Sequence, residues 1–152
     1  VGAGLSLAMA ADIRIAAEST RLIAGYPRIG GSPDGGLSWT LPQAVGYEQA
    51  MRFLLENRTV NGAEALELGM VGEVVPDERF DSRFAEYCQS LTQLSPFTGR
   101  LTKRVVRHAT RIDLEDHARY ELQSIGRAFG SEDGKEARKA FMEKRDPEFK
   151  GQ

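Results

Sequence analysis

Apolar positions follow two different periods along this chain. Through residue 76, short apolar runs alternate with glycine, proline and small polar residues, a pattern typical of short strands and helices joined by tight turns. From Asp81 onward, apolar residues recur at the three- and four-residue spacing of amphipathic helices. The pattern therefore predicts an α/β portion, residues 1–80, followed by an all-helical portion, residues 81–152.

The first portion predicts short elements of both kinds. Asn61 is placed to cap one helix, and Gly69 to end it. Strands are predicted at residues 13–16, 21–24 and 71–75, with a short extended segment at 59–60, and helices at 5–11, 38–45, 47–55 and 61–68. The second portion predicts four helices, at residues 81–94, 96–109, 114–129 and 132–144.

The helix at residues 5–11 is composed of small and apolar residues on nearly every side. A helix of this kind needs neighbours around most of its circumference, because its apolar surface is stable only when buried. No earlier residue supplies such a neighbour. We therefore expect the chain to be the C-terminal part of a longer protein.

Composition and charge narrow the possible partners. The chain has 41% hydrophobic and 28% charged residues and a net charge of −2, which is ordinary for a folded globular protein. No apolar run approaches the roughly 20 residues of a membrane span, so no membrane partner is expected. From Arg100 onward 13 basic residues face 10 acidic ones. This excess is too small to favour nucleic acid, although it could attract a phosphorylated ligand.

Cysteine and histidine offer little chemistry. The single cysteine, Cys88, rules out an internal disulfide and fits a reducing compartment, so we expect a cytoplasmic protein. We interpret Cys88 as a buried side chain of a helix rather than as a nucleophile. The two histidines, His108 and His117, are interpreted as surface or interface residues. No cluster has the spacing of metal ligands, so no metal is expected.

Two short motifs can carry chemistry. Gly2, Ala3 and Gly4 precede or open the first helix, where backbone N–H groups lack internal acceptors and can bind an oxyanion; tight packing is the alternative explanation of the glycines. Asp34 lies in Pro33-Asp34-Gly35-Gly36, as the one carboxylate of a glycine-rich stretch. Held beside an apolar group it could exchange protons with carbon acids, although Pro-Asp-Gly is also an ordinary turn sequence.

Several ordered segments resemble the crotonase superfamily, the enoyl-CoA hydratase/isomerase family. VGAGLSLAMAADIRIA resembles its oxyanion-hole turn, buried helix and following strand, and IGGSPDGGLSWTLPQAVG its second signature. NGAEALELGMVGEVVP and FMEKRDPEF are similar to its later segments. The resemblance implies a partial ββα spiral followed by a C-terminal helical oligomerisation region, assembled as a homotrimer or hexamer. It also implies an acyl-CoA thioester as substrate, with coenzyme A part of that substrate and no other cofactor.

The resemblance assigns roles to individual residues. The N–H of Ala3, framed by Gly2 and Gly4, would hold a thioester enolate together with a donor from a segment that precedes this chain. Family hydratases carry glutamates at the positions of Ser6 and Tyr26, whereas Asp34 is similar to the aspartate of family isomerases. Isomerisation is therefore favoured, since one carboxylate can move one proton.

Other roles are weaker implications of the same resemblance. Ser6 would lie near the substrate. Tyr26 and Trp39 would line the acyl pocket, although core packing is the favoured interpretation of both. Phe141 and Lys144 are candidate coenzyme A contacts. The alternatives to isomerisation are an incomplete or inactive member with an assembly or coenzyme A-binding role, an enoyl-CoA hydratase, and an acyl-CoA thioester hydrolase.

Overall fold

The computed structural model describes all 152 residues and forms two compact units, Val1–Ala85 and Glu86–Gln152. Helix α5 (Phe80–Thr92) contains the boundary between them. The elements of the first unit before α5 are α1 (Ala3–Ala10), β1 (Ile15–Ala17), β2 (Arg21–Leu22), α2 (Leu37–Val45), α3 (Tyr47–Glu56), β3 (Val60–Asn61), α4 (Gly62–Glu67) and β4 (Glu73–Val75). The second unit holds α6 (Pro96–Ala109), α7 (Leu114–Gly130) and α8 (Glu132–Glu143).

Two small ladders connect distant parts of the first unit. Strand β1 pairs in parallel with β4, with Ala16 opposite Val74, and β2 pairs antiparallel with β3, with Leu22 opposite Val60. The predicted strands are therefore present but shorter than expected. The sequence pattern did not indicate two 3-10 turns, Tyr26–Ile29 and Asp77–Arg79, because the glycine and proline residues in or beside them predict turns of any type.

One hydrophobic cluster joins the helices of the first unit. The largest of its almost fully buried side chains, each at most 2% exposed, are those of Leu5, Leu37, Leu41, Phe53, Val60 and Met70. These residues come from α1, α2, α3, β3 and the loop after α4. Burial of this apolar surface is the main contribution to the stability of the unit and fixes α1 against α2.

Helix α1 buries one face rather than its whole circumference. Leu5, Ser6 and Met9 are buried, whereas Leu7 is 77% exposed. The prediction of a helix is confirmed, and the neighbours that its apolar surface was expected to need cover only one of its faces within this chain. Small apolar composition indicated burial, but the other residues of this chain cover only the face that carries these three side chains.

The cap predicted at Asn61 is confirmed in detail. Its side-chain oxygen accepts the Glu64 N–H at 3.0 Å, and the Glu64 carboxylate accepts the Asn61 N–H at 3.1 Å. Each side chain thus satisfies a backbone donor that a helix start would leave unpaired.

The helical unit is organised around a buried carboxylate. Asp133 is 2% exposed and accepts hydrogen bonds from the Ser95 hydroxyl at 2.6 Å and from the N–H groups of Lys150 and Gly151 at 2.8 and 3.0 Å. Burial acts to raise the pKa of Asp133, but these hydrogen bonds outweigh it and leave that pKa below its ordinary value. Asp133 thereby connects the start of α6 to the last residues of the chain.

Two side chains in this part of the chain have a different exposure from the one that the sequence predicts. Cys88 lies in α5 as predicted but is exposed, so its interpretation as a buried residue is wrong for this chain. The His108 and His117 Nδ1 atoms lie 3.4 Å apart, and His117 is buried at 8% exposure, so a surface position is wrong for His117. None of the helices is both long and apolar enough to cross a membrane.

Candidate functional site

Three side chains from separate segments form one hydrogen-bonded chain in the first unit. The Ser6 hydroxyl, in the first turn of α1, lies 2.9 Å from the Tyr26 hydroxyl. The Tyr26 hydroxyl in turn donates to Asp34 Oδ1 at 2.8 Å. The structure therefore brings together two positions of interest 28 residues apart, and Tyr26 is the side chain that connects them.

The start of α1 presents a backbone donor close to this network. Gly2 is the N-cap and offers no side-chain acceptor, and the Ala3 N–H has no acceptor within the chain. The neighbouring Gly4 N–H donates to the Val1 carbonyl at 3.1 Å. In the same turn, Ser6 Oγ lies 3.3 Å from the Gly2 carbonyl, so the network begins in the turn that presents the Ala3 N–H. An unpaired N–H at a helix start is suited to an anionic oxygen.

Tyr26 is held in place by its burial and by the turn around it. Its side chain is 7% exposed and belongs to the hydrophobic cluster. The preceding Gly25 N–H donates to the Asn57 side chain at 2.7 Å, and the Tyr26 carbonyl accepts the Gly31 N–H at 3.0 Å. The ring therefore packs in the core, as favoured from the sequence, while its hydroxyl reaches the polar network.

The segment that carries Asp34 rests directly on α1. A Cβ atom added to Gly35 would lie 2.9 Å from Ser6 Cβ, so only a glycine allows this approach without displacement. The Asp34 carbonyl accepts the Leu37 N–H at 3.0 Å, which leads the chain into α2. The Asp34 side chain is exposed, with Oδ1 bound to Tyr26 and Oδ2 without a partner in this chain.

The comparison with protein families decides the identity of the fold. The enoyl-CoA hydratase/isomerase family model matches residues 1–152. This chain belongs to that family. The resemblance drawn from its glycine-rich and proline-containing segments is thereby confirmed, and the architecture is that of a partial crotonase fold.

Individual family members agree with this assignment. A protein named probable enoyl-CoA hydratase from Mycobacterium tuberculosis is 34% identical over 149 residues, which is 98% of this chain and 58% of the relative. The 1,2-epoxyphenylacetyl-CoA isomerase of Escherichia coli is 32% identical over 150 residues, 99% of this chain and 57% of that protein. The crystal structure of an enoyl-CoA hydratase from Bacillus anthracis superposes with a TM-score of 0.93 at 30% identity, covering 98% of this chain and 58% of that one. The chain thus spans just under three fifths of the length of these relatives.

The remaining predicted site residues of this enoyl-CoA hydratase/isomerase family member lie outside the network. Trp39 is 59% exposed on α2, so core packing, favoured from the sequence, is wrong for it within this chain. Phe141 and Lys144 lie at the end of α8 in the helical unit, where Phe141 is 82% exposed and Lys144 has a left-handed backbone. Their role as coenzyme A contacts stays a prediction.

Sequence reasoning named every member of the hydrogen-bonded chain but missed its connectivity. Ser6 and Tyr26 were candidates as the positions of the family's glutamates and Asp34 as the family's isomerase aspartate, while the glycines after Asp34 indicated a turn and a close approach of the backbone. A spacing of 20 and then 8 residues across irregular backbone carries no periodic signal for a contact.

Proposed function

We propose that this chain carries the proton-transferring part of an acyl-CoA isomerase. In this proposal Asp34 removes a proton from a carbon of an acyl-CoA thioester and returns it to another carbon, moving a double bond. The observation that carries the proposal is the hydrogen-bonded chain from Ser6 through Tyr26 to Asp34, which fixes a carboxylate beside the start of α1.

The backbone at the start of α1 supports an enolate intermediate. Removing a proton next to a thioester leaves negative charge on the thioester oxygen, and a preorganised N–H stabilises that charge. Ala3 has such an N–H without an acceptor in the chain, and Gly2 and Gly4 leave space around it. A second donor would come from elsewhere in the protein. Loss of one such donor typically costs about 2.7–4 kcal/mol of transition-state stabilisation.

The side chains around Asp34 favour proton transfer over hydration. Adding water requires groups that orient and deprotonate it, the role that the family resemblance assigns to a pair of glutamates. At those positions this chain has Ser6 and Tyr26, whose hydroxyls bond to each other. One carboxylate is then the available base, which suffices to shuttle one proton.

Further parts of the proposal concern binding and assembly. Trp39 would contact the acyl group, and Phe141 and Lys144 the coenzyme A moiety. A homotrimer or hexamer is supported by the apolar side chains that α6 and α7 leave exposed, among them Val106 at 62%, Leu122 at 73% and Ile125 at 50%.

Asp34→Asn in the whole protein that contains this chain tests the proposal. The change keeps the size of the side chain and its acceptor for Tyr26 but removes the base. Exchange of α and γ protons of an enoyl-CoA with D2O should fall by about 10²-fold or more, while acyl-CoA binding is retained. Asp81→Asn, an exposed aspartate at the start of α5, is the matched control. Exchange by Asp34→Asn at the rate of the control would refute the role of Asp34.

Hydration is the second candidate, because the mycobacterial relative bears a hydratase name. The two activities give different products from one substrate. Incubating a 2-enoyl-CoA with the protein in water labelled with oxygen-18 yields a labelled 3-hydroxyacyl-CoA if water is added. Isomerisation yields the 3-enoyl-CoA without label.

A further inference from the structure

The two carboxylate oxygens of Asp34 have different surroundings. Oδ1 accepts the Tyr26 hydroxyl at 2.8 Å, whereas Oδ2 has no partner in the chain. The Asp34 side chain is otherwise exposed, at the tip of a segment with glycines on either side. The hydrogen bond to Tyr26 is therefore the contact that restricts rotation of this carboxylate.

The direction of each hydrogen bond follows from the number of protons. An ionised carboxylate only accepts, and a tyrosine hydroxyl has one proton to donate. Because Tyr26 donates to Asp34, it must accept at its other contact, the 2.9 Å approach of Ser6 Oγ. Ser6 then donates to Tyr26 rather than to the Gly2 carbonyl, which is more distant at 3.3 Å. The two hydrogen bonds are therefore donated in the order Ser6 to Tyr26 and Tyr26 to Asp34.

Ser6 and Tyr26, which donate the two hydrogen bonds, are held by burial, whereas the side chain of the acceptor Asp34 is exposed. Tyr26 is 7% exposed within the hydrophobic cluster, and Ser6 is 2% exposed on α1. Both hydroxyls therefore occupy fixed positions relative to the start of the helix. A carboxylate held at one oxygen by such a group has its second oxygen aimed in one direction.

We propose that Tyr26 is a positioning residue that occupies Oδ1 of Asp34 and thereby makes Oδ2 the oxygen that exchanges the substrate proton, with Ser6 holding the Tyr26 hydroxyl. This rests on the proposed function. A proton passes from a substrate carbon to Oδ2, and the electrons of the broken C–H bond enter the enolate. The same O–H then returns the proton to another carbon, and the carboxylate is restored.

Tyr26→Phe in the whole protein tests the positioning role. The ring and its packing are kept while the hydroxyl is removed. We expect kcat for double-bond migration to fall by about 10-fold to 100-fold with KM and the melting temperature little changed, because a misdirected base affects the chemical step rather than binding. Tyr47→Phe is the matched control, since Tyr47 is 74% exposed on α3. Ser6→Ala should have a smaller effect in the same direction.

A second measurement separates positioning from a purely structural effect. In D2O, the Tyr26→Phe protein should change the ratio of deuterium found at the α and γ carbons, because Oδ2 is no longer aimed in one direction. In an Asp34→Asn background, Tyr26→Phe should cause no further loss. A Tyr26→Phe protein with the kcat and deuterium ratio of Tyr47→Phe overturns this inference while Asp34 keeps its role. An active Asp34→Asn protein instead overturns the proposed function.

Discussion

The close approach of Gly35 to Ser6 gives a quantitative test of how the Asp34 segment is held. The test compares the variants Gly35→Ala and Gly36→Ala. Both glycines have left-handed backbones, with φ of 58° and 84°. The added methyl group at residue 35 would lie 2.9 Å from Ser6 Cβ and 3.4 Å from its hydroxyl oxygen, whereas that at residue 36 has no atom within 4 Å. The pair therefore separates backbone strain from the clash with α1.

The two contributions can be estimated separately. An alanine forced into the left-handed region costs about 1–2 kcal/mol, which applies to both variants. Overpacking costs typically about 1–3 kcal/mol more, and it applies to Gly35→Ala alone because the atom that it meets is attached to the α1 backbone. We expect a free energy of unfolding lower by about 2–5 kcal/mol for Gly35→Ala and about 1–2 kcal/mol for Gly36→Ala.

Urea denaturation followed by circular dichroism measures both values in the whole protein, and the exchange assay reports on the site. Gly35→Ala should also slow proton exchange more than Gly36→Ala, since displacing residue 35 from α1 moves the adjacent Asp34 away from Tyr26. Equal unfolding free energies and equal exchange rates for the two variants would refute the contact between this segment and α1.

Two further predictions concern a helix cap and acid stability. Asn61→Ala removes one half of the reciprocal cap of α4 and should lower the free energy of unfolding by about 0.5–2 kcal/mol in a urea titration. Hydrogen bonds from Arg145, and from the Glu148 N–H, lower the pKa of Glu136 from 4.5 to about 2. The ionised Glu136 carboxylate therefore stabilises the folded state fully above pH 4.5, and this stabilisation is lost as the pH falls towards 2. The melting temperature of Glu136→Gln should accordingly depend less on pH between these values than that of the unmodified protein.

The elements with strong local signals could be predicted from the sequence. Helix α6 has the predicted bounds, Pro96–Ala109, because a serine N-cap, a proline at the first position and an apolar period act together. The cap at Asn61 follows from short-range chemistry in the same way. The exposures of Leu7, Trp39 and Cys88 could not be predicted, because burial depends on which surfaces the rest of the protein covers.

The residues of the site could be predicted from the sequence, but the contacts between them could not. The glycine motif and the family resemblance indicated Ala3 and Asp34, and the same resemblance indicated Ser6 and Tyr26 as positions of substituted glutamates. That Tyr26 joins the other two depends on the 3-10 turn at Tyr26–Ile29 and on the bond from Gly25 to Asn57. Both features depend on tertiary contacts of irregular backbone, for which hydrophobic periodicity and secondary-structure propensity give no prediction.

The hydrogen bond between Ser6 and Tyr26 bears on how one acid would act alone under the proposed function. Two carboxylates placed close together would repel each other unless they shared a proton. A serine and a tyrosine at the same positions supply donors without adding charge. Asp34 is then the one acidic side chain of the network, and it accepts a hydrogen bond from a neutral donor. Under the proposed function, two hydroxyls in place of two acids would remove a means of activating water and would leave Asp34 as the base that a single proton transfer needs.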